Sequence, residues 1–282
     1  MLPLKDENPT RRTPIVTVLI IGVCLWLFFT WEPFFTDRPV EESIVFTLEN
    51  AAIPCEIVRG SPLTVDEIEA TFNRGQVNAC GVGSPSSPVA FPEKSVWFTL
   101  LTSMFLHGGL AHLGGNLLFL WIFGNNIEDH LGHFRYLLFY LIGGLVASAA
   151  HILLNLDSTV PVVGASGAIA AVMGAYLVWF PDAPVRTAVF FFFITLVDIR
   201  AKWLLIFWFV SQFFTAPDSG VAWAAHVGGF VFGVVVGWIV RASRGARRVV
   251  WTPDYRAART WDPTGGVGYY PYQSRRLRRR RL

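Results

Sequence analysis

The strongest limit on this chain comes from a series of apolar runs, each about as long as a lipid bilayer is thick. A helix needs about 20 mostly apolar residues to cross the hydrocarbon core. The first run, Pro14 to Trp31, reads PIVTVLIIGVCLWLFFTW and follows Arg11 and Arg12. Five more cover 98–124, 134–156, 164–181, 203–215 and 221–241. The first is long for a signal-peptide core and lacks a small-residue cleavage site just after it, so it is expected to stay as an anchor. Only 15% of the residues are charged, against about 25% in an ordinary soluble domain. The expected fold class is therefore all-α, a polytopic membrane bundle of six transmembrane helices. The stretch 187–202, TAVFFFFITLVDIRAK, is read as an interfacial or re-entrant segment, with a seventh span as the alternative.

Charge decides the orientation. Positive residues collect on the cytoplasmic side of membrane proteins. Here the N-terminal flank, Arg135, Arg186, Arg200, Lys202 and the tail all fall on one side of a six-span chain. From Arg241 to the end there are 12 arginines. Such a tail can bind nucleic acid, but directly after an apolar span it marks the cytoplasmic face, and no nucleic-acid partner is expected. The organisation that follows is a cytoplasmic flank over 1–13, a first helix over 14–35 and an extracytoplasmic loop over 36–95. A core of helices two to six covers 96–241, and a basic tail over 242–282 lacks apolar periodicity and is expected to be disordered.

The 36–95 loop carries nine acids and four basic residues. Within it, Thr64-Val-Asp-Glu67 has the form of a capping box, Val65, Ile68 and Phe72 share a helical face, and Gly75 can close the end. A short helix lying on the membrane surface fits. Three cysteines are too few for a disulfide scaffold and have no metal-ligand spacing. Cys24 sits in the first apolar run as packing. Cys55 and Cys80 flank the loop helix in an oxidising compartment and can pair.

Polar groups inside a membrane bundle are costly and each marks a functional candidate. Three clusters occur: His107-Gly-Gly-Leu-Ala-His112-Leu-Gly-Gly-Asn116 in the second run, Gly164-Ala-Ser166-Gly167 opening the fourth, and Ala225-His226-Val-Gly-Gly229 in the sixth. Singly, each has a bland explanation. A serine in a membrane helix bonds its own backbone or a neighbour. His226 alone would suit a proton relay in a transporter, and His112 with Asn116 would suit interhelical glue. A metal site is not expected, since no HExxH and no nearby carboxylate complete one.

Topology brings the three clusters to one depth below the outer surface. Ser166, Ala170 and Gly174 form a small-residue stripe, as do Gly229, Gly233 and Gly237, and such faces let backbones approach closely. His226 within reach of Ser166 could take its proton and return it to a leaving amine. A His112/Asn116 pair beside the Ser166 N–H could hold an oxyanion. No acid in the sixth run can orient His226, so the arrangement would be a Ser–His dyad.

These motifs, GASG, AHVGGFVFG and HGGLAHLGGN, resemble the rhomboid intramembrane serine proteases over about 90–241. The resemblance implies a rhomboid bundle with Ser166 as nucleophile, His226 as general base, and His112 and Asn116 in the oxyanion hole. His107, Gly164 and Gly167 would support the site, and Glu128-x-x-x-Gly132 resembles the family's motif after the second helix. It implies a multi-pass protein of the cell membrane with no cofactor. It would cut transmembrane segments of single-pass proteins near the extracytoplasmic face of the lipid bilayer. Two positions depart from the pattern. Ala170 stands where some members stack an aromatic ring on the histidine, and Glu128-Asp129-His130 replaces Glu-x-Arg. The competing class is an inactive rhomboid-like protein that binds membrane helices. Such proteins lack the serine or the histidine, and this chain has both. A transporter is a third, weaker alternative.

Overall fold

The computed structural model describes residues 1–32, 40–190, 193–216 and 221–243. The tail beyond residue 243, expected to be disordered, lies outside the described residues. In chain order the elements are β1 (Leu2–Asp6), α1 (Ile15–Thr30), α2 (Val40–Asn50), α3 (Pro54–Arg59), α4 (Val65–Phe72), α5 (Thr99–Thr102), α6 (Leu110–Leu131), α7 (His133–Leu154), α8 (Ser166–Trp179), β2 (Pro184–Phe190), β3 (Ile194–Arg200), α9 (Ala201–Ser211) and α10 (Trp223–Ser243). A 3-10 turn, Gln212–Phe214, continues α9.

The protein is mostly helical. Among the described residues, α7 and α10 are long and apolar enough to cross a bilayer, while α1, α8 and α9 with its turn are shorter apolar helices. The second run differs from its expected bounds. Its helix starts at Leu110, because Gly109 takes φ +151°, and it extends through Asn125, Asn126, Glu128 and Asp129 to Leu131. His107 thus precedes the helix rather than sitting in its upper turns.

Glu128 explains how α1 begins. Pro14 precedes that helix and gives no side-chain cap, so its first N–H groups need acceptors from elsewhere. The buried Glu128 carboxylate accepts from the Val16 and Thr17 N–H groups, both at 2.8 Å, and from Thr17 Oγ1 at 2.7 Å. A negative charge also suits the positive end of the helix dipole. His133 Nδ1 lies 2.6 Å from Oε1 of the same carboxylate, the oxygen that also accepts from Val16. Asp129 accepts from the Arg12 N–H and His130 stacks on Trp179 at 4.3 Å, so the Asp129-His130 departure is absorbed locally.

The central contact is between α8 and α10. A Cβ on Gly229 would collide with the Gly167 carbonyl oxygen, one on Gly233 with that of Ala171, and one on Gly174 with that of Phe230. The glycines on α10 are those the sequence predicts. On α8 the stripe is shifted: Gly167 and Ala171 face the partner rather than Ser166 and Ala170. The shift leaves Ser166 at the edge of the contact, with its hydroxyl free to point along it. On its other side, α10 meets α7, where Gly228 makes room for Ala150.

The all-α expectation misses a three-stranded sheet of order β1-β2-β3. Leu2 pairs with Ala188 and Asp6 with Val185, while Pro184 faces Arg200 and Phe190 faces Ile194, all antiparallel. The described part of 187–202 is therefore strand up to Arg200, which excludes a seventh helical span. The aromatic and β-branched run favours strand over helix after α8 has ended ahead of Pro181. Asp6 ties the sheet to the helices by accepting from Asn126 Nδ2 at 2.5 Å and Tyr176 Oη at 2.9 Å.

The loop segment has a small core of its own around Leu48, Ile53, Cys55 and Leu63. Cys55 and Cys80 are joined, with a Cα–Cα distance of 5.7 Å. Glu56 and Lys94 form a buried ion pair at 2.5 Å. The capping box on α4 is complete in both directions. Its buried residues are Glu67, Ala70 and Thr71, whereas Val65 and Phe72 are exposed. The predicted apolar face of α4 is therefore split: Val65 and Phe72 point outward, while Ile68 packs on the small core of the loop segment.

Glu67 joins this segment to a testable pH dependence. Its carboxylate accepts from Arg59, the Thr64 N–H and the Gly81 N–H. Burial pushes its pKa up, but those hydrogen bonds and the Arg59 charge outweigh it and hold the group below its ordinary 4.5. A depressed carboxylate stabilises the fold fully above its unfolded value and loses that contribution as pH falls through the folded one. The Tm gap between wild type and Glu67→Gln should thus be full at neutral pH and close as pH is lowered below 4.5. A gap independent of pH would show that the carboxylate charge contributes nothing.

Candidate active site

Ser166 is the first residue of α8 and His226 lies in the first turn of α10. The close approach of those two helices sets their side chains in line. His226 Nε2 lies 2.7 Å from Ser166 Oγ. Starting a helix at Ser166 also leaves the N–H groups of its first turn without intrahelical acceptors, and their dipoles favour negative charge there.

Gly164 opens the space beside the serine. Its φ is +129°, a conformation L side chains rarely adopt, and a Cβ there would lie 2.8 Å from His112 Cε1 and Nε2. Its N–H donates to the Ser103 carbonyl at 2.8 Å, which holds the loop against the segment before α6. The His112 ring therefore lies over the backbone just ahead of Ser166. The Gly108 N–H donates to His112 Nδ1 at 3.4 Å, so the ring proton sits on Nε2 and faces Gly164. His112 is exposed on its outer side, and Gly114 and Gly115 on the next turn have open space where a Cβ would be.

The other expected residues are placed as follows. Asn116 is buried one turn below His112 and commits one amide hydrogen to the His112 carbonyl at 2.9 Å. His107 is fully buried behind the site. Its Nδ1 lies 3.2 Å from the Phe105 carbonyl, its N–H donates to Glu32, and its ring packs edge-on against His112 at 5.3 Å. Gly167 lies under the serine, where a Cβ would meet Ala147 on α7 at 2.7 Å. Cys55 and Cys80 belong to the loop segment. With Glu67 they form the closest group of metal-ligand types among the described residues. Their sulfurs are joined to each other, so they offer no thiolate.

Sequence reasoning leaves the far side of His226 empty, and the structure fills it from α9. Gln212 Oε1 lies 2.7 Å from His226 Nδ1. The Trp208 ring packs on the imidazole at 5.6 Å between centroids, in the role an aromatic residue at position 170 would have taken. The chain held a signal for both: Trp208 and Gln212 are one turn apart and face one way. A second polar residue near this end of the bundle, His151 on α7, follows Ala147 and Ala150, which pack against Gly167 and Gly228. Its Nδ1 is buried without a hydrogen-bond partner.

Comparison with known proteins bears on this arrangement. A family model described as the Rhomboid domain matches residues 94–243, just over half of the chain. The chain belongs to the rhomboid family. The matched region runs from before α5 to the end of α10 and contains every residue of the site. Rhomboid protease GluP of Bacillus subtilis is 44% identical over 81 residues, covering 29% of this chain and 15% of that protein. Rhomboid protein 1, mitochondrial, of Saccharomyces cerevisiae is 29% identical over 151 residues, covering 50% of this chain and 41% of that one. RHOMBOID-like protein 4 of Arabidopsis thaliana is 33% identical over 145 residues, half of this chain and 33% of its own length. The chain thus spans less than half of each of these relatives.

The Gly164 geometry can be tested apart from any activity. Gly164→Ala forces a methyl into the His112 ring at a positive φ, and should lower stability in detergent by about 1–3 kcal/mol. Gly114→Ala, with open space around it, should leave the melting temperature unchanged or slightly raised. Equal melting of the two variants would show that His112 is not held against Gly164.

Proposed function

We propose that this rhomboid-family chain is an intramembrane serine endopeptidase that cuts single-pass membrane proteins near the extracytoplasmic face. The observation that carries the proposal is the 2.7 Å contact between Ser166 Oγ and His226 Nε2 at the junction of two glycine-packed helices. His226 takes the Ser166 proton as Oγ attacks the scissile carbonyl. The oxyanion forms beside the His112 Nε2–H and the Ser166 N–H, with the second Asn116 amide hydrogen as a further donor. His226 then gives its proton to the leaving amine, and a water repeats the sequence on the acyl-enzyme. Water and the substrate carbonyl approach from the exposed side of His112.

In this proposal α1, α6, α7, α8, α9 with its turn, and α10 are the six spans, and both termini are cytoplasmic in the cell membrane. The side chains that the bundle leaves outward support it: Leu19 and Trp26 on α1, Phe134 on α7, Phe207 on α9, and Trp238 and Ile239 on α10 are all exposed. Apolar surface of that extent needs lipid rather than water. With six spans, Lys5, Arg186, Arg200, Lys202 and Arg241 would share one side of the bilayer, which is what the positive-inside tendency favours. Reporter fusions after residue 90 should read as extracytoplasmic and fusions after residue 243 as cytoplasmic; a C-terminal reporter found outside would reverse the site's assigned side.

Two further measurements test the chemistry. A fluorophosphonate probe should label the purified wild type, but neither Ser166→Ala nor His226→Ala. Cleavage of a model transmembrane substrate should be lost in the same two variants, by a factor of about 1,000 or more in turnover. Labelling retained in Ser166→Ala would place the reactive nucleophile at another residue.

A further inference from the structure

A neutral imidazole acts as a base only through its unprotonated nitrogen, and two tautomers compete for that position. His226 faces Ser166 with Nε2, so the base needs its hydrogen on Nδ1. The partner of Nδ1 is the amide oxygen of Gln212, at 2.7 Å. A glutamine could equally present its NH2 group, which would force the hydrogen onto Nε2 and disable the base. The local backbone settles which end faces the ring. At the end of α9 the chain tightens into a 3-10 turn, and the Gln212 N–H bonds to the Phe209 carbonyl instead of that of Trp208. The Trp208 carbonyl is thereby left for side chains. It accepts from Gln212 Nε2 at 2.9 Å and from Ser211 Oγ at 2.6 Å. Gln212 Nε2 also donates to Ser211 Oγ at 3.3 Å. Turning the amide over would set its oxygen against the Trp208 carbonyl oxygen and lose both bonds, in a place where the Gln212 side chain is buried.

We infer that Gln212 is a positioning residue of the active site: its pinned amide selects the Nδ1–H tautomer of His226 and holds the ring toward Ser166. The assignment rests on the proposed nucleophile and base, and turns the dyad into a relay of Ser166, His226 and Gln212 carried by α8, α10 and α9. In soluble serine proteases the third position is a carboxylate, and an amide there costs about 10⁴ in turnover by presenting the wrong tautomer. Here the amide succeeds because the freed Trp208 carbonyl fixes its orientation. The Trp208 ring, packed on the same imidazole, makes one residue serve both the face of the ring and the amide that orients it.

The test compares two substitutions of similar size. Gln212→Met keeps the volume and removes the acceptor; Gln212→Glu keeps an oxygen for Nδ1–H, and its second oxygen can meet the Trp208 carbonyl by carrying a proton. Fluorophosphonate labelling and kcat for a model transmembrane substrate should fall about tenfold to a hundredfold in Gln212→Met, with KM unchanged. Gln212→Glu, which keeps an acceptor for Nδ1–H but replaces the amide donor to the Trp208 carbonyl, should lose clearly less than Gln212→Met. Independently of activity, ¹⁵N spectra of histidine-labelled protein, with His226→Ala for assignment, should show Nδ1–H at His226 in wild type and a mixed tautomer in Gln212→Met. Wild-type rates in Gln212→Met, or equal losses in both variants, would overturn the role of Gln212. Absence of labelling in the wild type would instead overturn the nucleophile on which it rests, and the tautomer spectra would still report whether Gln212 orients the ring.

Discussion

Everything in the site depends on how closely α8 and α10 can approach. Carbonyl oxygens of one helix rest where the side chains of the other are missing, so the distance between them is set by backbone rather than by adjustable side chains. A lateral error of one ångström would separate Ser166 Oγ from His226 Nε2. Glycine at 167, 174, 229 and 233 removes the freedom to make that error. In lipid no hydrophobic effect pulls helices together, and this kind of direct packing supplies much of the association that is left. The same residues therefore hold the bundle together and fix the geometry of the pair.

Around that contact, buried polar groups act over long sequence distances. Glu128 caps α1 from more than a hundred residues away, Glu32 at the end of α1 receives the His107 N–H, and Asp6 reaches Asn126 and Tyr176. Each joins an apolar helix to a part of the chain that would otherwise be free to shift. A buried carboxylate is costly unless its oxygens are bonded. Backbone N–H, hydroxyl or amide donors supply bonds to Glu128 and Asp6, while Glu32 accepts the His107 N–H on one oxygen and its other oxygen is buried without a partner. His112 benefits directly. Glu32 and Ser103 immobilise the two segments between which its ring lies.

Much of this was legible in the residues. Each of the six apolar runs holds a helix, though among the described residues only α7 and α10 are long enough by themselves to cross a bilayer. Three short motifs single out Ser166, His226 and His112, because apolar helices leave polar groups nowhere inconspicuous to sit. The Thr64–Glu67 capping box is a local rule and holds locally. What escaped prediction is tertiary. The residue that orients His226 lies on a different helix, and Gln212 at the end of an apolar run looks like an interfacial polar residue. The sheet was missed because β1 is a five-residue strand with no partner near it in sequence, and β2 and β3 are apolar enough to imitate a span. The one-residue shift of the stripe on α8 is also invisible in spacing alone, since Ser166-Ala170-Gly174 and Gly167-Ala171-Gly174 are equally small.

The cap on α1 carries a consequence for biogenesis. Val16 and Thr17 are translated long before Glu128, so α1 is made with its leading N–H groups lacking the carboxylate that receives them in the folded protein. Its final register is settled later, when α6 arrives with the carboxylate that receives those groups. Within this chain α1 is thus translated well before the residue that caps it, and its first turn is completed only once α6 has been made.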